Sequence, residues 1–110
     1  MSMNWSVETL SEIVDEELSS LPEDMKARFV RIAELIAEHG LPNVGRPYVK
    51  HLEGFLWEIR MTGKDGISRA LYVTAKPKRV VVVRVFIKKT QKTPRKEIKL
   101  ALQRAKEIEE

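Results

Sequence analysis

The sequence predicts an α+β protein with the element order β-α-α-β-β-β-α. In this layout a helix hairpin packs on a small, mostly antiparallel sheet, and a last helix closes the chain. Three observations carry the prediction. Apolar residues recur at helical spacing twice within the first 38 residues, on either side of a Ser19-Ser20-Leu21-Pro22 break. Three runs rich in Val, Ile, Leu and aromatic residues then follow between Phe55 and Ile87. Finally, Thr93-Pro94 precedes a second stretch of helical spacing.

Each element has its own local reason. Asn4 to Val7 reads as a short strand, with Trp5 and Val7 on one face. Ser11 to Leu18 reads as a helix capped by Thr9 or Ser11, with a stripe of Leu10, Ile13, Val14 and Leu18. Pro22 to about Glu38 is a longer helix. Glu23 and Asp24 favour its dipole, Met25, Phe29, Ile32, Leu35 and Ile36 form its stripe, and Gly40 follows its end. Leu41 to Gly54 is the least regular stretch. It places Arg46, Lys50 and His51 among Pro42, Gly45, Pro47 and Gly54, and reads as a long connection holding one short strand or turn at most. Connections this long are usually functional.

In the next strand Phe55, Trp57, Ile59 and Met61 alternate with Leu56, Glu58 and Arg60. Asp65-Gly66 is a hairpin signal, and Ser68 to Ala75 is the following strand. Arg79 to Ile87 is the most continuously apolar run and is expected at the sheet's centre. Strict alternation there puts Val81, Val83, Val85 and Ile87 on one face, and Val80, Val82, Arg84 and Phe86 on the other. In the last helix, Pro94 to about Ile108, the buried stripe is Ile98, Ala101, Leu102, Ala105 and Ile108.

The 110 residues suit one domain spanning 1–110. Without cysteine there is neither a disulfide framework nor a thiolate ligand or nucleophile, which suits a reducing cytosol. The first residues lack the pattern of a signal peptide, and no run is long and apolar enough to span a bilayer. A cytoplasmic protein with no membrane partner is therefore expected. The net charge of +4 hides an asymmetry: residues 1–38 carry nine acids and three bases, the remainder seven acids and 17 bases. Such a basic region points to nucleic acid.

The cations concentrate at one strand-to-helix corner. Lys88, Lys89 and Lys92 lie in the loop after the last strand, and Arg95 and Lys96 in the first helical turn. Cations there oppose the helix dipole, so stability alone does not account for them. Free N–H groups and clustered cations make a seat for an anion. Arg60, Arg69 and Arg84, with Glu58, interrupt otherwise apolar strands beside that corner. They read either as a concave surface for a phosphate backbone or as salt-bridged structural pairs.

His39 and His51 are the sole histidines, and no ligand spacing, glycine-rich phosphate loop or nucleophile elbow occurs. Neither metal nor cofactor is expected. Acid–base and electrostatic chemistry remains, and metal-free RNA cleavage needs little more. A base takes the 2′-hydroxyl proton, cations stabilise the phosphorane and an acid protonates the 5′-oxygen.

Leu56-Trp57-Glu58-Ile59-Arg60, Arg69-Ala70-Leu71-Tyr72, the run Phe86-Ile87-Lys88-Lys89-Thr90-Gln91-Lys92-Thr93-Pro94, then Glu97-Ile98 and Ala101 resemble one family. It is the phage-derived Gp49/HigB-like branch of the RelE/ParE toxin superfamily. The resemblance spans residues 4–108 in element order and implies a RelE-like fold. It implies the toxin of a type II toxin–antitoxin system, which enters the ribosomal A site and cleaves mRNA without a metal. The implied partners are the ribosome, mRNA and a helix-turn-helix antitoxin of the HigA-like kind, with promoter DNA bound only through the toxin–antitoxin complex.

By the same resemblance, Arg69 matches an arginine that begins the corresponding strand of RelE-type nucleases. Lys88 or Lys89 matches a cation just after the last strand. The lysines such nucleases carry on the preceding strand are replaced here by Leu56 and Glu58, and the C-terminal catalytic tyrosine is missing. His51 in His51-Leu52-Glu53-Gly54 resembles the catalytic histidine of some HigB branches. A turn histidine without a chemical role is the alternative, and Glu58 the alternative base. The expected catalytic set is Arg69 and Lys89 for transition-state charge, Arg60 for phosphate positioning and His51 for proton transfer. Lys88, Lys92, Arg95, Lys96, Arg84 and Lys50 are expected to hold RNA. The departures keep two alternatives open: a non-catalytic ParE-like toxin that inhibits DNA gyrase by protein contact, or a decayed toxin retained for antitoxin binding.

Overall fold

A computed structural model describes residues 4–45 and 48–108 of the chain. Arg46 and Pro47 of the expected connection lie outside the described residues. The elements are β1 (Ser6–Thr9), α1 (Glu12–Ser19), α2 (Glu23–His39), β2 (Val49–Glu53), β3 (Leu56–Gly63), β4 (Gly66–Ala75), β5 (Arg79–Lys88) and α3 (Arg95–Ala105), with a 3₁₀ turn at Leu41–Asn43. The described strands form one five-stranded sheet in the order β1-β5-β4-β3-β2. β1 runs parallel to β5, and the other pairings are antiparallel. The order matches the expected α+β layout. The irregular stretch before β3 supplies an edge strand, β2, and the middle of the sheet is β4 rather than β5.

The helix stripes bury as their spacing predicts, except that Ile13 of the expected α1 stripe is 58% exposed, because Val14, Leu10 and Leu18 already cover the core side of that short helix. Val14 of α1 joins Met25, Phe29, Ile32 and Ile36 of α2 against Val49, Ile59, Met61, Ala70, Tyr72, Val80, Val82 and Val85 on one face of the sheet. α3 covers the opposite face, where Ala101, with partly buried Ile98, Leu102, Ala105 and Ile108, meets Leu56, Leu71, Val73, Val81, Val83 and Phe86. Both longer helices begin one residue later than their prolines suggest. Pro22 and Pro94 occupy the N-cap positions with extended ψ, and neither makes a side-chain cap. Thr93 therefore does not cap α3.

Strict alternation fails in β5. Leu71 pairs with Arg84 but Tyr72 pairs with Val82, so Val83 is an extra residue. This β-bulge puts Val83 and Arg84 on one face and reverses the phase beyond it. Val80, Val82 and Val85 thus share the α1–α2 core, whereas Val81, Val83 and Phe86 share the α3 core. The correction has a clear physical basis in the groups that receive the freed backbone. Arg104 donates to the Val83 carbonyl at 2.9 Å, and the Val85 N–H donates to Glu17 at 3.0 Å. Arg84 donates to Glu17 at 2.7 Å and to Glu97 at 2.8 Å. One polar network therefore ties α1, β5 and α3 together at the bulge.

Candidate nucleic-acid interface

The register of the central strands places Arg60 directly opposite Arg69, and Glu58 opposite Leu71. All four face the α3 side, beyond the region that the helix covers. Two adjacent cross-strand cations repel each other. Glu58 resolves this, since its fully buried carboxylate lies 2.8 Å from Arg60 Nε and 3.8 Å from Arg69 Nε. The Thr93 hydroxyl donates to the same carboxylate at 2.6 Å.

Arg69 is wholly buried and grips the following loop through its main chain. Its Nη2 donates to the Thr90 carbonyl at 2.5 Å and to the Gln91 carbonyl at 2.6 Å. Arg60 also donates to the Gln91 carbonyl. Burial, then the like charge of Arg60, pushes the Arg69 guanidinium below its ordinary range, and Glu58 works against that. Nη1 of Arg69 is buried without a hydrogen-bond partner among the described residues. The result is a charged stem beneath the Lys89–Thr93 loop, with lysines on its outer side. Lys89, Lys92 and Lys96 are exposed, Lys88 is half-buried, and none of the four has an ion pair among the described residues.

The remaining candidates divide sharply. Lys50 is exposed and opposite Glu58 in register, so it borders the same face. Arg95 pairs with Glu53 across to β2, which raises the Arg95 pKa and lowers that of Glu53. Arg84 is held between Glu97 and Glu17, which raise its pKa against the opposing effect of burial. His51 is opposite Trp57, which in turn pairs with Tyr72 of the α1–α2 core. Its ring meets Trp57 edge-on at 4.9 Å, and its Nε2–H donates to the Gly54 carbonyl at 2.7 Å. His51 therefore stands on the opposite face of the sheet from Arg60 and Arg69, and the expected convergence of the three does not occur.

The salt-bridged reading of Glu58 with Arg60 holds, whereas Arg69 as the second guanidinium beside Glu58, Thr93 as its hydroxyl partner and the carbonyls of Thr90 and Gln91 as the loop's anchors were not foreseen. The carbonyls leave no trace in residue identity. Glu58 had a signal: an acid alternating into an apolar strand two residues before an arginine. Among the described residues no group of three His, Asp or Glu side chains stands ready to hold a metal ion. No described helix is long and apolar enough to cross a membrane.

The chain belongs to the family described as phage-derived protein Gp49-like, whose profile matches residues 16–106. Its fold is RelE-like. A mutant of the E. coli toxin RelE in the free state superposes with a TM-score of 0.65 at 16% identity, over 93% of this chain and 98% of that one. The archaeal RelE–RelB complex from Pyrococcus horikoshii OT3 gives a TM-score of 0.55 at 24% identity, over 77% of this chain and 96% of that one. No curated protein matches the chain.

Proposed function

We propose that the chain is the toxin of a toxin–antitoxin pair and a ribosome-dependent mRNA endonuclease working without a metal. The observation that carries this is the cationic corner itself. In a RelE-like fold of a Gp49-like chain, Lys88 at the end of β5, Lys89 and Lys92 in the following loop and Lys96 in the first turn of α3, none with an ion pair among the described residues, surround a loop anchored on Arg60, Arg69 and Glu58. Lys89 and the part-exposed Arg60 hold the scissile phosphate. Arg69 acts from below, fixing the loop through its carbonyl grip. The 2′-hydroxyl passes its proton to a solvent water and its oxygen attacks phosphorus, the bond to the 5′-oxygen breaks, and that oxygen takes a proton from solvent, so the proton count is unchanged. The products are a cyclic phosphate and a 5′-hydroxyl. Lysine and arginine charge stabilises the extra negative charge of the phosphorane. His51 takes no part, given its face of the sheet. A protein antitoxin, read by likeness to the RelE–RelB pair, is the natural partner.

Primer extension on a defined mRNA with stalled ribosomes tests this. Cleavage within the A-site codon is expected. Lys89→Ala and Arg60→Ala should each lower its rate about 100-fold or more, whereas His51→Ala should leave it within threefold of wild type. Absence of cleavage by the wild-type protein would reject the nuclease. One observation favours the second reading, inhibition of DNA gyrase by protein contact: Arg69 has no exposed surface with which to meet a phosphate. Supercoiling inhibition without mRNA cleavage would establish that alternative.

A further inference from the structure

We propose that a groove beside the corner is a second RNA subsite, taking one nucleotide of a single strand through its phosphate and its base. This rests on the reading of the chain as an RNA-directed toxin and extends it to a surface that the corner does not include. The groove, about 650 Å³, lies between α2 and the outer part of β3 and is lined by Arg28, Arg31, Ile32, Leu35, Tyr48 and Arg60. Its volume falls in the usual range for small-ligand sites.

Its charge is out of place in its own segment. Residues 1–38 carry nine acids against three bases, yet two of those bases, Arg28 and Arg31, line this one groove. Both are exposed. Arg31 has one acid nearby, Glu34 at 3.9 Å and itself exposed, and Arg28 has no ion pair among the described residues. The two are three positions apart on α2 and so lie on the same side of the helix. Guanidinium pairs suit phosphate oxygens.

The rest of the lining suits a base. Ile32 and Leu35 give an apolar floor, and Tyr48 is 41% exposed at the rim. Stacking on an exposed aromatic is the common way of holding an unpaired base. Arg60 belongs both to this groove and to the Glu58 cluster. The groove opens on the α2 side of the sheet and the corner on the α3 side, and Arg60, whose backbone N–H donates to the Tyr48 carbonyl, is shared by both, so a strand using both would turn round that edge. An acidic peptide would use the guanidiniums but would leave the aromatic rim and the apolar floor unused.

The strand has two possible sources, messenger and ribosomal RNA, and the test separates them. One arm measures fluorescence anisotropy of a labelled 12-nucleotide single-stranded RNA. The other measures co-sedimentation with mRNA-free ribosomes. Arg28→Glu with Arg31→Glu should weaken binding about tenfold or more and reduce the log–log salt slope by roughly 1.4. Tyr48→Ala should weaken binding about fivefold or more, while Tyr48→Phe should bind like wild type. Loss in the oligonucleotide arm assigns the groove to messenger, and loss confined to the ribosome arm assigns it to ribosomal RNA.

Unchanged binding in both arms, alongside loss in Lys88→Glu with Lys89→Glu, would overturn this subsite and leave the toxin reading standing. No binding by the wild-type protein in either arm would overturn both. Retained RNA binding with lost binding of a poly-glutamate peptide would overturn the RNA assignment in favour of a protein partner. Far-UV circular dichroism checks that these surface variants fold.

Discussion

Glu58 is fully buried between two guanidiniums and a hydroxyl, so its removal should be among the costliest single changes in the chain. Glu58→Ala leaves two cations facing each other, one of them fully buried. Breaking a buried pair from one side costs about 3–5 kcal/mol. Urea denaturation should show that loss, and a double variant, Glu58→Leu with Arg69→Met, should recover most of it, because apolar replacement of a buried ion pair is often neutral. Glu58 is thus an organiser of charge, and its fixed role as acceptor explains why a carboxylate stands where the resemblance led one to look for a lysine. Both the arginines and the carboxylate were visible as interruptions of apolar strands. Their partners were not, since a carbonyl of Thr90 or Gln91 is chemically the same in any residue.

At the scale of elements, the bulge in β5 and the close approach of α2 to β3 are the departures from regularity. Glu17 caps the freed Val85 N–H and pairs with Arg84 and Arg104. Burial raises its pKa, but the hydrogen bonds from Arg104, Val85 and Arg84 outweigh this and leave it lowered. A depressed carboxylate contributes stability above its unfolded value, about 4.3, and loses it as pH falls through the lower native value. Urea midpoints should therefore drop below about pH 4.3, and Glu17→Gln should show a shallower drop from a lower starting stability. At Gly63, an added Cβ would lie 2.7 Å from Asp24 Oδ2 and 2.9 Å from Met25 Cε. Gly63→Ala should destabilise by about 1–3 kcal/mol, measurable in the same denaturation series. Most of the helix stripes and the succession of elements along the chain were legible because period and turn chemistry act locally, whereas the centre of the sheet was not, since it is set by pairing between strands. The bulge was not, because an unbroken valine run offers the same side chain on either side of the shift. The short strand or turn expected within Leu41–Gly54 is edge strand β2, but its bounds could not be read, because Lys50 and His51 carry no strand signal and pairing with β3 supplies one.

Across the whole molecule, charge and layer follow each other. The acid-rich first third forms β1 and the hairpin of α1 and α2 on one face, and the lysine-rich corner emerges beside α3 on the other. Binding to a single strand through four lysines predicts a slope near −2.8 in log affinity against log salt. Anisotropy titrations at several salt concentrations check it, and each Lys→Gln change among Lys88, Lys89, Lys92 and Lys96 should reduce the slope by about 0.7. A slope near zero would rule out a phosphate-directed surface. Charge asymmetry was read directly from composition. Which cations are free was not, because Arg84 and Arg95 find acids far along the chain, in Glu17 and Glu53.

The grip of Arg60 and Arg69 on the Lys89–Thr93 loop falls on main-chain oxygens. An anchor of that kind is blind to spelling. The letters at 90 and 91 can be rewritten while the loop keeps its path, so the tip is a place where selection can vary chemistry without unsettling the scaffold. A library randomised at these two positions should yield mostly folded proteins by protease resistance. The same randomisation at Glu58 and Thr93 should yield few.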